Sequence, residues 1–589
     1  MSIPGEDLSL EVSKMLTRRQ FLKAGAVAGG SLLLPARWVT RTAFGQQVAD
    51  TVGPGALVRF VDPLPIPPVW TAGQLAARGL TMASSMHQFH QQLGMTPTYG
   101  YGGASYLGPT IEGRRGEPTS FVARNRLGPH VVGVDRELHG PDMYPGDEVA
   151  PRVSLHLHGG YTEPESDGYP EDVFIPGEDH VYNYEFDQQS GSTWYHDHAL
   201  GITRLNVYAG LAGFFPIRDG RAEAGLPPQP FEIPVVLQDK TFLDPGDGTN
   251  PMFYPNPWEP EFFGSVPVVN GKIWPNHDVR RGMYRLRLLD GSSSRFYNLR
   301  FDPPIPWYLI GTDTGFVDAP VPLQSLVLAP GERADVLVDF SELSAGDRVR
   351  LMNEQPLPEP AVSPVDDEGP FISELIQFTA LRQPGFPARI PTSLRSFPRP
   401  DPSGVVAERN LLLVEISDPE TGDPVMALLN NRRWDTTDIE EPTAHTLEQW
   451  NLINLTEDTH PIHLHLVQFG LRNRQPIDAG GYIEHVFGVE ELTPDDVGHG
   501  GRPFPGVEEV EGVVIGPPEG APPTEVGWKD TIQAHPGQVT RILAPFGSGA
   551  FAGVPFGRAT THTGEYVWHC HILDHEDHEM MLPYQVLPG

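Results

Sequence analysis

At 589 residues the chain is long enough for several domains, and its 63 glycines and 63 prolines favour many short strands and turns over long helices. A formal charge of −35 argues against nucleic acid and anionic membrane as partners. With one cysteine in the whole sequence, an internal disulfide is excluded.

In chain order, Thr17-Arg18-Arg19-Gln20-Phe21-Leu22-Lys23 leads into an apolar, Gly- and Ala-rich stretch from Ala24 to Leu34. That stretch is well short of the ~20 residues a spanning helix needs, so residues 1–45 read as a twin-arginine signal peptide. The exported chain is expected to be periplasmic, cell-surface or secreted. No later run is long and apolar enough to cross a bilayer, so no membrane span is expected in the mature chain.

Residues 46–217 read as a first β-rich domain, with strand signals at Leu107 to Ile111 and Val153 to Leu157. It carries two His-x-His pairs, His156/His158 and His196/His198. On a strand, positions i and i+2 share a face, as two ligands of one cluster must. Residues 218–400 read as a second domain, with strand signals at Val268 to Gly271, Tyr284 to Leu288 and Ala334 to Phe340. It has a single histidine, His277, and no cysteine, so its expected role is structural. Pro-rich runs at 355–370 and 384–402 read as loop and linker. Residues 401–589 form a third domain with a third pair, His463/His465, and with His460 across a turn expected to be bent by Pro461. Two Gly/Pro-rich inserts, about 478–524 and 546–563, are expected to lie near His460 and His575 or to be decoration.

Trp568 to Met580 is the densest stretch. Alternation along a strand points Cys570 one way and His569 and His571 the other, so one segment feeds two sites back to back. On the cysteine side, His575 and Met580 follow at five-residue intervals. Thiolate, imidazole and weak axial thioether together suit a blue-copper electron-transfer site. Met82, Met86, His87, His90 and Met95 offer a weaker metal-type cluster, better read as an ordinary strand.

Taken with Gly527-Trp-Lys-Asp-Thr531, Thr203 to Gly210 and Val269 to Pro275, these motifs resemble the multicopper oxidases along the whole mature chain. More narrowly they resemble the bacterial spore-coat laccase and bilirubin oxidase branch. The resemblance implies an all-β fold of three consecutive cupredoxin-like Greek-key β-barrel domains. It implies four copper ions: a type 1 copper on His460, Cys570, His575 and Met580, a type 2 copper on His156 and His463, and a type 3 pair on His158, His196, His198, His465, His569 and His571. It further implies that phenols, aminophenols or tetrapyrroles give up single electrons through Cys570 while O2 is reduced to water. Copper-bound histidines cannot carry the protons required, and Glu576 and Asp167 stand where that branch keeps its relay acids. Asp197, between two ligands, is expected to orient its neighbours. The alternatives are a metallo-oxidase acting on Cu(I) or Mn(II), and a non-catalytic cell-envelope scaffold. A monomer is expected.

Overall fold

The computed structural model describes residues 50–358, 360–362, 370–420, 424–498, 507–547 and 562–589; the signal segment lies outside them. Among these residues the chain is all-β, and its α-helices are four short ones, Ala72–Arg78, Thr203–Ala209, Ala479–Phe487 and Leu573–Glu576.

Period-two burial organises the strands. Along Val405–Ser417, Leu411 and Leu413 enter one apolar core while Leu412, Val414 and Ile416 enter another on the opposite face. Along Met283–Asp290, Tyr284, Leu286 and Leu288 face a core. Arg285 and Arg287 turn the other way, to Asp335 (Nε–Oδ1 2.8 Å) and Glu232 (Nε–Oε1 2.7 Å). These charges are buried, and the forked guanidinium geometry satisfies them.

Among the apolar clusters of the described residues, three follow one another along the chain, containing Tyr182 and Tyr195, Leu286 and Phe378, and Trp450 and Trp568. Each adjoins a mostly antiparallel sheet that contains one parallel pair: Leu80–Ala83 beside Ala123–Arg126, Glu232–Leu237 beside Arg285–Asp290, and Val405–Leu413 beside Leu447–Asn454. Parallel neighbours need a crossover connection. The same arrangement recurs three times along the described chain, in keeping with an all-β, cupredoxin-like fold.

The hairpin Val266–Val269 to Lys272–Ile273 turns at Asn270 (φ 49°) and Gly271 (φ 84°). Two positive φ values in a two-residue loop are what a type I′ turn requires. Residues 384–402 contain no α-helix, and no strand continues beyond Pro384.

The insert at 478–524 carries regular structure of its own. It opens with the helix Ala479–Phe487, capped by Asp478 on Gly481 N (3.1 Å). Tyr482, Leu492, Val507, Val510 and Val513 pack on the outward row Leu412, Val414 and Ile416. The described part of this insert therefore covers the outer face of a sheet. Most of the 546–563 insert lies outside the described residues.

Candidate metal centre

The strands Leu155–His158 and Trp194–Asp197 pair antiparallel in the first third, with His156 opposite His196. In the last third His460–Leu464 pairs with Gly564–Cys570, setting Ile462 opposite Cys570 and His463 opposite His569. Alternation from this register puts Cys570 on one face and His463, His465, His569 and His571 on the other. His460 reaches the cysteine side by the same alternation. Pro461 does not bend the chain away; it stays in the strand opposite Gln533.

On the cysteine side, Cys570 Sγ lies 3.5 Å from His460 Nδ1 and 3.8 Å from His575 Nδ1, all three buried. Met580 is fully buried in the same core, and its carbonyl accepts from Cys570 N (3.0 Å). Burial pushes the Cys570 thiol up, so the soft thiolate forms there only if a cation takes the proton's place. His575 Nε2 meets Glu261 at 2.9 Å. Glu261 sits in the Trp258-Glu-Pro-Glu261 loop, with Trp258 against His578 at 4.0 Å between ring centroids. Asp574 pins this loop: its carboxylate accepts from Tyr254 Oη (2.8 Å), Ser294 Oγ (2.7 Å) and Phe262 N (3.0 Å), and its carbonyl from Trp258 Nε1 (2.9 Å).

On the other face eight histidines from the first and last thirds converge, and their nitrogens form three groups: His156, His158 and His463; His158, His196 and His571; His198, His465 and His569. Imidazole nitrogens face one another without apolar cover, His465 Nε2 to His198 Nε2 at 3.1 Å and His198 Nε2 to His569 Nε2 at 3.3 Å. His156 Nε2, His463 Nε2 and both His571 nitrogens are buried with no hydrogen-bond partner. Such atoms are costly unless something coordinates them. Burial holds His156, His158, His198, His463, His465 and His571 well below the usual imidazole range, and His196 at about 3. They are thus neutral, with lone pairs free for a metal. The far nitrogens are anchored: His156 to Asp167 O (2.6 Å), His196 to Asp197 O (2.8 Å), His463 to Asp530 O (2.8 Å) and His569 to Cys570 O (3.1 Å). This donor set fits copper, for which imidazole and thiolate are suitable ligands.

Both expected relay acids border the cluster. Asp167 accepts from His465 Nδ1 (2.6 Å) and Thr162 Oγ1 (2.9 Å). Burial raises its pKa to about 7, and the Thr162 hydrogen bond opposes that rise. Glu576 is fully buried, 3.0 Å from His569 Nδ1 and 3.6 Å from His198 Nδ1, with no directed hydrogen-bond partner at either oxygen. Asp197 ties the His196–His198 turn to its surroundings, accepting from Ser154 N (3.0 Å), Ala199 N (3.1 Å) and Asn206 Nδ2 (2.8 Å). Asp577 accepts from Thr203 N (3.0 Å) and Arg204 N (2.9 Å) at the start of the Thr203–Ala209 helix, joining first and last thirds beside the cluster.

The Met82–Met95 region is no second centre. His87 is used at both nitrogens, by Ser105 Oγ (2.8 Å) and Gly271 O (2.7 Å), and so is His90, by Val58 O (2.9 Å) and Gln92 N (3.1 Å).

Sequence reading missed Glu261, Asp574, Asp577 and the pair Arg333–Asp530. Asp530 stood in a quoted motif without a role, and Glu261 has no local signal at all, since its partner is 314 positions away.

Multicopper oxidase profiles match residues 147–222 and 409–589, and a twin-arginine signal profile matches residues 15–35. The chain is 36% identical to a laccase of Bacillus subtilis over 90% of its own length and 99% of the relative's. It is 33% identical to multicopper oxidase LPR1 of Arabidopsis thaliana over 94% and 97% of the two lengths. Its fold matches the crystal structure of the McoA multicopper oxidase of Aquifex aeolicus at TM-score 0.67 and 24% identity, covering 90% of this chain and 100% of that one.

Proposed function

The chain belongs to the multicopper oxidase family, a copper-dependent oxidoreductase with O2 as acceptor that is exported by the twin-arginine route, and we propose that it carries four coppers and oxidises phenols, aminophenols or tetrapyrroles. Its action is laccase-like: four one-electron oxidations of donor supply the electrons for O2 + 4H⁺ + 4e⁻ → 2H₂O. The observation that carries this reading is the back-to-back arrangement around Cys570, with a thiol–imidazole set on one face and eight imidazoles on the other.

In this reading His460, Cys570, His575 and Met580 hold the type 1 copper, and His156 and His463 the type 2. His158, His196, His198, His465, His569 and His571 hold the type 3 pair. Bound copper supplies one-electron redox chemistry at one centre and a place to reduce O2 at the other. The protein supplies the rest. Cys570 is one peptide bond from His569 and from His571, so ligands of both centres share one rigid strand. Glu576 stands at the His569/His198 edge and Asp167 at the His465 edge, where each can hand on a proton that coordinated imidazoles cannot. Eight aligned imidazoles drawn from the two end thirds need those thirds docked, so metal binding and docking reinforce each other.

A donor panel tests the reading. Purified copper-loaded protein is expected to oxidise phenols and aminophenols at four donors per O2, with no peroxide released. Consumption of Mn(II) or Cu(I) far faster than of every organic donor would favour the second reading, a metallo-oxidase. One feature supports that second reading: the Glu261 carboxylate covers the His575 Nε2 edge, with side-chain exposures of 16% and 6%, so an approaching donor meets an acid first.

Hydrogen bonds to charged groups contribute ~1.5–3 kcal/mol. Glu261→Gln is therefore expected to raise KM for cationic donors by roughly tenfold or more, on that energy scale, and to leave KM for uncharged phenols near wild type. An equal shift for both donor classes would mean that Glu261 acts on His575 alone.

A further inference from the structure

The middle third of the chain contributes no candidate ligand, yet one of its side chains reaches the cluster. Arg333 begins the strand Arg333–Asp339, opposite Leu289, and is fully buried. Its guanidinium grips the Asp530 carboxylate with both Nη atoms, Nη1 to Oδ1 at 2.6 Å and Nη2 to Oδ2. Nε donates to Ser192 O (2.9 Å) and Nη1 also to Gly331 O (2.9 Å). One side chain thus joins the first, middle and last thirds. Asp313 steadies the frame, accepting from Arg333 N (2.9 Å) and forming an ion pair with Lys529 Nζ (3.1 Å).

Asp530 in turn holds two rings of the cluster. Its Oδ1 lies 3.1 Å from His158 Nε2, and its main-chain carbonyl accepts from His463 Nδ1 at 2.8 Å. With Nε2 occupied, His158 presents Nδ1, which points at His196 Nε2 (3.4 Å). With Nδ1 occupied, His463 presents Nε2, which has no partner. The two rings come from opposite ends of the chain and stack at 3.6 Å with 11° between planes.

Whereas His156, His196, His463 and His569 are held by backbone carbonyls, His158 Nε2 is held by side chains, Asp530 Oδ1 and Thr531 Oγ1 (each 3.1 Å), and the carboxylate can rotate unless something fixes its plane. The bidentate fork removes that rotation, and an ammonium point charge cannot. Clearance around the fork is tight. A Cβ on Gly159 (φ 81°) would come 2.4 Å from Asp530 Oδ2 and 2.9 Å from Arg333 Nη2. A Cβ on Gly331 (φ 81°) would come 2.5 Å from the His571 ring.

We infer that Arg333 is a positioning residue for the three-copper cluster: through Asp530 it fixes which nitrogen His158 presents and how His158 stacks on His463. The inference rests on the four-copper reading above and extends it to the middle third.

The test uses full-length copper-loaded protein carrying Arg333→Lys and, separately, Asp530→Asn, with copper per chain, EPR-silent copper and blue absorbance read during a chelator titration. Loss of an outer partner of a metal ligand typically lowers affinity about 10–100-fold. Both variants are expected to surrender cluster copper at about 10–100-fold lower chelator while the blue absorbance per chain stays at wild type. Arg333→Lys that keeps its EPR-silent copper as the wild type does would overturn the inference. So would parallel loss of the blue band and the cluster copper, or an unfolded Arg333→Lys beside a copper-replete Asp530→Asn, since Arg333 would then serve only the fold. If the wild-type protein itself takes up no cluster copper, it is the four-copper reading that fails.

Discussion

Cys570→Ser is expected to abolish donor-driven O2 consumption while leaving the cluster histidines in place. Cys570 is the only cysteine in the chain, so no other thiolate can substitute. Its Sγ is fully buried between His460 and His575, and a serine hydroxyl there is a hard, neutral ligand where copper in such a site is selected by a soft one. The eight imidazoles should keep their arrangement, because the strand register that sets His463 opposite His569 is made by backbone hydrogen bonds. The expected record is therefore loss of the blue band, O2 uptake at the blank rate, and copper reduced by about one per chain, the share of one blue site. Turnover of organic donors by this variant would remove the type 1 centre from the account.

Glu576→Gln is expected to give the second-largest effect, on a different step. Glu576 is buried against His569 and His198 without a directed hydrogen bond of its own, so it has little structural work to lose. General acid–base groups typically contribute ~10²–10⁴ in rate. O2 uptake should fall by about that factor, whereas anaerobic bleaching of the blue centre by donor should proceed at the wild-type rate, since it needs no proton at the cluster. Asp167→Asn should act in the same direction by about 10–100-fold, the usual effect of removing a partner that orients a ligand, because Asp167 also holds His465 Nδ1 at 2.6 Å. If bleaching slowed as much as O2 uptake, neither residue could be assigned to proton delivery.

The candidate ligand residues were legible because metal sites on strands obey a short code. His-x-His on one face, and Cys570 opposite its two neighbours, follow from side-chain alternation alone. The same rule corrects the expectation for His460: it lies three positions from His463, hence on the other face, and no bend at Pro461 is needed.

What remained hidden is long-range. Arg333 lies just before the strand signal that begins at Ala334, and only the docked chain shows its partner, Asp530, 197 positions away. Glu261 lies in a Pro-rich loop whose purpose is visible only once Asp574 is seen pinning that loop over His575. Both belong to the stretch read as structural for want of histidine and cysteine. Ligand-type residues reveal who touches metal, but not who holds the ligands still. The role of the insert at 478–524 stayed open for a related reason: its Gly and Pro content masks the apolar residues Tyr482, Val507, Val510 and Val513 that seal a sheet face.

In the proposed function one strand joins a blue thiolate centre to an eight-histidine cluster. The most direct measurement is the visible absorption spectrum of the copper-loaded protein, with copper counted per chain. An intense thiolate-to-copper band and about four coppers are expected, as these ligand sets require. A colourless protein that takes up no copper on loading would contradict the proposed function, and would leave the envelope scaffold as the better description of this chain.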